Sequence, residues 1–190
     1  MKQVAIFASG NGTNAEAIIK YFKQNDSINI KAVFSNNPNA FVLQRARKHN
    51  IETIVFDKND LYNSNTVIGI LQKMDIDFIV LAGFMWLVPQ YLTSAYASKI
   101  INIHPALLPN YGGKGMYGDR VHQKVIENKE AKSGITIHFV NSKYDEGQII
   151  FQASCDIDIN DTPHSLADKI HVLEHKHYPS IIEQTINKIK

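Results

Sequence analysis

The chain has 190 residues, 44% hydrophobic and 20% charged, a balance that supports a buried core and excludes an intrinsically disordered protein. Twenty Lys and Arg against 18 Asp and Glu leave a net charge of +2 with no polybasic block, which argues against nucleic acid or a membrane surface as partner. A single cysteine, Cys155, excludes an intrachain disulfide and a cysteine zinc site; with no signal peptide and no run of roughly 18 apolar residues, the expectation is a cytoplasmic enzyme acting on small molecules.

Apolar runs of strand length alternate with segments of helical length, the pattern of a mostly parallel sheet covered by helices. Residues 4–8 read as a first buried strand and 14–23 as a helix, with Ala15, Ile18, Ile19 and Phe22 on one face. A second strand over 30–34 leads to a helix over 40–49, and a third strand covers 54–56. Asp57 or Asp60 then caps a third helix, extending to about Met74. Strands follow at 78–81 and 100–103. Residues 104–118 hold two prolines and four glycines and form no simple element. A helix is expected over 119–128, then strands over 134–140 and 148–156, joined closely enough to pair antiparallel. Thr162 caps a last helix starting at Pro163, and Pro179 is expected to kink or interrupt it. Cys155 reads as a buried strand residue. The fold class is therefore α/β: an open, mostly parallel sheet with helices on both faces, Rossmann-like in its N-terminal half, with an antiparallel C-terminal extension of the same sheet.

Between the first strand and first helix lies Ser9-Gly10-Asn11-Gly12-Thr13-Asn14. Glycines there let an anion approach the backbone, and the N–H groups at the helix start bind it with help from the helix dipole. With Ala15 the segment fits the dinucleotide pattern G-x-G-x-x-A. That pattern also wants an acidic residue after the second strand, where this chain has Ser35-Asn36-Asn37. A phosphate without a dinucleotide fits better, and a tight turn with no ligand is the plain alternative.

Asn102 and His104 lie two apart at the end of a strand, so both side chains share a face. Pro105 stops the strand there, at the carboxyl end where open α/β sheets bind ligands. An Asn amide can stabilise an oxyanion, and a His can move a proton near neutral pH. Asp145, on the turn Tyr144-Asp145-Glu146-Gly147, could reach back to His104 and hold it protonated.

Together with the glycine loop, four further segments occur in order: Leu81-Ala82-Gly83-Phe84-Met85, Ile101-Asn102-Ile103-His104-Pro105-Ala106-Leu107-Leu108-Pro109, Asp145-Glu146-Gly147, and Glu174-His175 before Tyr178-Pro179. Over nearly its whole length the chain resembles the phosphoribosylglycinamide formyltransferases, the folate-dependent glycinamide ribonucleotide transformylases of purine synthesis. The resemblance implies transfer of a formyl group from 10-formyltetrahydrofolate to the amine of 5-phosphoribosylglycinamide, with no metal. It implies that Gly12, Thr13 and Asn14 hold the substrate phosphate and Glu174 its glycinamide end. Met85, Trp86, Leu87 and Val88 would line the folate pocket, and Asn102, His104 and Asp145 would carry the chemistry. It also implies one domain over 1–190, its first half (1–100) binding phosphate and its second (101–190) folate, as a monomer or homodimer. A cis peptide at Leu108-Pro109 belongs to the same resemblance.

The chain departs from the family pattern in three places. Lys58-Asn59 stand where relatives carry an arginine, and Trp86 replaces a basic residue. The glycine-rich segment 111–118 suggests a mobile lid over the site, or else an ordinary surface loop. His171-Val172-Leu173-Glu174-His175 spells the inverted zinc-peptidase motif, but Glu174 is already assigned to substrate. Two other functions stay open: a formyltetrahydrofolate deformylase-like hydrolase, and a non-catalytic nucleotide- or folate-binding module. The joint presence of Asn102, His104 and Asp145 argues against the module.

Overall fold

Val4, Ala5, Ile6 and Phe7 are all buried, so the strand that carries them is covered on both faces. In the computed structural model, which describes residues 1–189, that strand is β1 (Lys2–Phe7). It is joined by β2 (Ile28–Ser35), β3 (Glu52–Val55), β4 (Phe78–Leu81), β5 (Ile100–His104), β6 (Lys132–Phe139) and β7 (Ile149–Asp156). They form one seven-stranded sheet of order β3-β2-β1-β4-β5-β6-β7. The pairings from β3 through β5 are parallel; β6 and β7 are antiparallel to their neighbours. The expected fold class is thus found. Because β1 lies between β2 and β4, the winding direction reverses there, and a crevice opens at the carboxyl ends of β1 and β4.

Two cores flank the sheet. One packs it against α1 (Thr13–Phe22), α2 (Phe41–Lys48), α6 (Asp119–Glu127) and α7 (Pro163–Lys188). The other packs it against α3 (Lys58–Tyr62), α4 (Thr66–Lys73) and α5 (Gln90–Ala95). Among the described residues no helix is long and apolar enough to cross a membrane.

The elements depart from their sequence patterns where local capping or tertiary burial decides. The single helix expected up to Met74 is two. Asp57 and Asp60 form a capping box that starts α3, and the Ser64 hydroxyl accepts from the Thr66 N–H to start α4 afresh. α5, six residues after Pro89, is too short for a periodic pattern to show. Pro179 does not interrupt α7, which runs through it. The next turn is held by burial: Tyr178 is fully buried and donates its hydroxyl to the Leu81 carbonyl at 2.8 Å, while Ile181 and Ile182 fill the core. That packing outweighs the hydrogen bond proline cannot make. Cys155 is half-buried rather than buried, because β7 is an edge strand.

Glu16 ties the first two helices together. Its carboxylate meets Arg45 and lies 3.2 Å from His49 Nε2 and 3.4 Å from Lys20 Nζ. Arg45 also donates to the carbonyl and side-chain oxygens of Asn11, which fixes the glycine loop. Burial alone would raise the Glu16 pKa, but His49, Arg45 and Lys20 outweigh it and bring it from 4.5 to about 2. A depressed carboxylate stabilises the fold above its unfolded value and loses that contribution as pH falls through the folded one. Thermal unfolding of Glu16→Gln should therefore depend less on pH between about 4.5 and about 2 than the unsubstituted protein does. Equal slopes would show that the cluster contributes nothing.

Candidate active site

Ile101, Ile103, Ile135 and Ile137 point into one core, so alternation turns Asn102, His104, Thr136 and His138 to the other face. The antiparallel register sets Asn102 opposite His138 and His104 opposite Thr136, so four polar side chains form a patch on two strands. Thr136 anchors the turn that follows β5: its hydroxyl accepts from the Leu108 N–H at 2.9 Å and donates to the Ala106 carbonyl at 2.7 Å. The Leu108–Pro109 peptide in that turn is cis.

His104, 3% exposed, has its Nε2 2.7 Å from the carbonyl oxygen of Tyr111. A carbonyl only accepts, so Nε2 carries the proton, and in the neutral ring the lone pair is on Nδ1. Nδ1 lies 3.5 Å from Asp145 Oδ2. The distant Asp-Gly turn therefore does reach His104. It does not hold the ring protonated. Burial lowers the His104 pKa more than Asp145 and the Tyr111 carbonyl raise it, and the neighbouring His138 lowers it further. Burial also pushes on Asp145, in the opposite sense, but His138, His104 and the Gly113 N–H at 3.0 Å together keep its carboxyl below the ordinary range. The result is a neutral imidazole beside a carboxylate.

Sequence reasoning missed His138. Its Nδ1 lies 2.8 Å from the Phe139 carbonyl and so carries a proton; the neutral ring's Nε2 then accepts from Asn102 Nδ2 at 3.2 Å. This orients the Asn102 amide and leaves its second N–H for another acceptor. His138 Nε2 is also 3.6 Å from Asp145 Oδ1, so it adjoins both Asn102 and Asp145. The available signal was alternation: polar Thr136 and His138 flank Ile137 in an otherwise apolar run.

The glycine loop lies across the crevice. Gly12 takes a left-handed φ of 78°, and a Cβ there would overlap the Val42 side chain, so the position admits only glycine. No side chain caps α1, which leaves its first N–H groups open to an anion. Asn14 turns inward and donates to Glu174 Oε2 at 2.8 Å, across 160 residues of sequence. Glu174 is 5% exposed; burial raises its pKa, against the pull of Asn14 and His171. Asn14 Oδ1 and His122 Nδ1 are buried with no hydrogen-bond partner among the described residues. Both residues line the same cavity, of about 570 Å³, whose lining also includes Gly12, Thr13, Met85, Asn102, His104, Asp145 and Glu174. Orphaned polar atoms beside an apolar wall suit a ligand with both characters.

Met85 lines this cavity; Trp86, Leu87 and Val88 do not. Trp86 packs against Phe56, Tyr62 and Phe84, with Lys58 Nζ 5.7 Å above its ring; the Leu87 carbonyl accepts from Tyr62, and Val88 is buried. Phe84, Met116 and Tyr144, which lie in the quoted segments but were given no role of their own, also line the cavity. The start of the glycine-rich segment is bonded into the site through the Tyr111 carbonyl and the Gly113 N–H. In the His171–His175 motif, Glu174 faces Asn14, and among the described residues no group of three or more His, Cys, Asp or Glu side chains is placed to hold a metal ion.

A family model described as formyl transferase matches residues 2–182. The phosphoribosylglycinamide formyltransferase of Bacillus subtilis is 38% identical over 98% of this chain and 95% of its own length. The chloroplastic enzyme of that name from Arabidopsis thaliana is 38% identical over 95% of this chain, which spans 64% of that relative's length. The crystal structure of phosphoribosylglycinamide formyltransferase from Bacillus halodurans superposes with a TM-score of 0.89 at 37% identity, covering 100% of this chain and 97% of that one. With this fold, this polar patch and these relatives, the chain belongs to the formyl transferase family of enzymes.

Proposed function

We propose that this enzyme transfers a formyl group from 10-formyltetrahydrofolate to the amine of 5-phosphoribosylglycinamide, a step of de novo purine biosynthesis. The observation that carries the reading is that one cavity is lined both by the uncapped start of α1 and by Asn102, His104 and Asp145. A phosphorylated acceptor and an acyl-transfer centre thus share one chamber. In this reading the backbone of Gly12, Thr13 and Asn14 holds the phosphate, and Glu174 takes the glycinamide end. Met85 forms the apolar wall on the folate side, with Trp86, Leu87 and Val88 framing it from behind. Both halves of the chain, 1–100 for phosphate and 101–190 for folate, act within one domain.

When bound, 10-formyltetrahydrofolate supplies the formyl carbon and the nitrogen that leaves. The free N–H of Asn102 donates to the formyl oxygen, where charge builds as the amine adds to the carbon. His104 Nδ1 takes the proton that the amine releases, and Asp145 stabilises the imidazolium so formed. The same nitrogen then returns the proton to the departing folate nitrogen as the old carbon–nitrogen bond breaks. His138 holds the Asn102 amide in register throughout.

Turnover should require both phosphoribosylglycinamide and 10-formyltetrahydrofolate. Formate released without the acceptor would identify a hydrolase, and activity only with formate and ATP would identify a different enzyme. Asn102→Ala should lose about 10²–10³ in kcat while unfolding at the same temperature; near-normal turnover would remove Asn102 from the mechanism. Asp145 raises the His104 pKa and burial lowers it below 6.5. Followed by NMR, the His104 ring should titrate below 6.5, and lower still in Asp145→Asn. A midpoint above 6.5 in the unsubstituted protein would show that Asp145 outweighs burial at this ring.

A further inference from the structure

We infer that Tyr111 is a positioning residue for His104, held in place by a hydroxyl anchor outside the reaction cavity. The residue makes polar contacts on two sides. Its carbonyl accepts from His104 Nε2 at 2.7 Å, while its hydroxyl donates to Glu130 Oε1 at 2.6 Å and accepts from Asn128 Nδ2 at 2.8 Å. Its backbone sits at φ 58°, a left-handed conformation that a side-chain-bearing residue adopts at a cost and keeps only when its surroundings hold it there. Tyr111 does not line the reaction cavity; with Glu130 it lines a smaller hollow of about 310 Å³.

The direction of control follows from the chemistry of the carbonyl. Because it only accepts, the Tyr111 oxygen places the neutral ring's proton on Nε2 and its lone pair on Nδ1, facing Asp145. A peptide that rotates away from His104 releases that choice. The ring then populates the other tautomer, whose Nδ1–H turns to the Asp145 carboxylate and cannot accept a proton from the attacking amine. Asn128 is the C-cap of α6 and Glu130 lies two residues beyond it, so both anchor groups sit on the turn that leads from α6 to β6. Burial and the bond to Glu130 raise the Tyr111 phenol, which stays a donor at neutral pH.

This inference rests on His104 as the proton carrier, so its test includes a readout that needs no substrate. Tyr111→Phe keeps the ring and removes the hydroxyl. Its kcat should fall about three- to tenfold with both KM values unchanged, the effect of losing an anchor of two ordinary hydrogen bonds, expressed in part at the reaction step. In the substrate-free protein, ¹⁵N shifts of the His104 ring should move toward the Nδ1–H tautomer. Glu130→Ala should reproduce both effects, and Glu130→Gln, which still accepts from the hydroxyl, should restore them. The double variant Tyr111→Phe/Glu130→Ala should be no worse than either single one. Unchanged ring shifts in Tyr111→Phe would overturn the inference, as would a loss of kcat that Glu130→Gln does not restore. Shifted rings with unchanged kcat would leave the Tyr111 anchor standing and instead remove His104 from proton transfer.

Discussion

The Tyr111 carbonyl lies 2.7 Å from His104 Nε2, and a carbonyl can only accept. From that one contact the state of the imidazole follows, because the proton must be on Nε2 and the lone pair on Nδ1, beside Asp145. A buried imidazole without it would be free to choose either tautomer. Burial supplies the second condition by favouring the neutral ring. The same pattern recurs at His138, whose Nδ1–H is committed to the Phe139 carbonyl and whose Nε2 fixes the Asn102 amide. Two main-chain oxygens thereby orient His104, His138 and, through His138, the Asn102 amide.

The β5–β6 pairing makes this possible. Parallel strands alone would place Asn102 and His104 at a sheet edge with water on one side. The antiparallel β6 covers that edge with Thr136 and His138, and the connection after it folds Asp145 back over the patch. Asp145 itself takes a left-handed φ of 55°. Close behind it, a Cβ on Gly147 would run into the Phe139 carbonyl, so that turn needs glycine. On the opposite wall, Asn14 and Glu174 join the first helix to the last, and Glu16 with Arg45 secures the glycine loop that precedes the first helix. Asn14, Asn102, His104, Asp145 and Glu174 are each held by a partner on a different element.

Much of this was legible in the residues. The glycine loop, the strand-end pair Asn102 and His104, and the Asp145 turn each have a local signature, and the structure gathers all three around one cavity with Glu174. Alternation of apolar runs gave the strand count and the antiparallel end. Other features left no local trace. His138 matters only through the register that sets it opposite Asn102, and Tyr111 only through the fold of its peptide. Pro179 reads as a break because its local effect is unfavourable, while the burial of Tyr178 that overrides it is a long-range contact. The Ser64 turn that divides α3 from α4 competes locally with a helix, and hydrophobic periodicity does not register it.

The sequence by itself determined which residues alternate, which loops need glycine and which strand ends carry polar groups, because those depend on neighbours a few positions away. The tertiary structure decided the protonation and orientation of those groups. His104 is neutral because the fold buries it, its tautomer is set by an oxygen on a folded-back loop, and Asn102 is aimed by a histidine on the next strand. Desolvation and hydrogen-bond partnership are properties of where side chains end up, and the order of residues along the chain does not contain them.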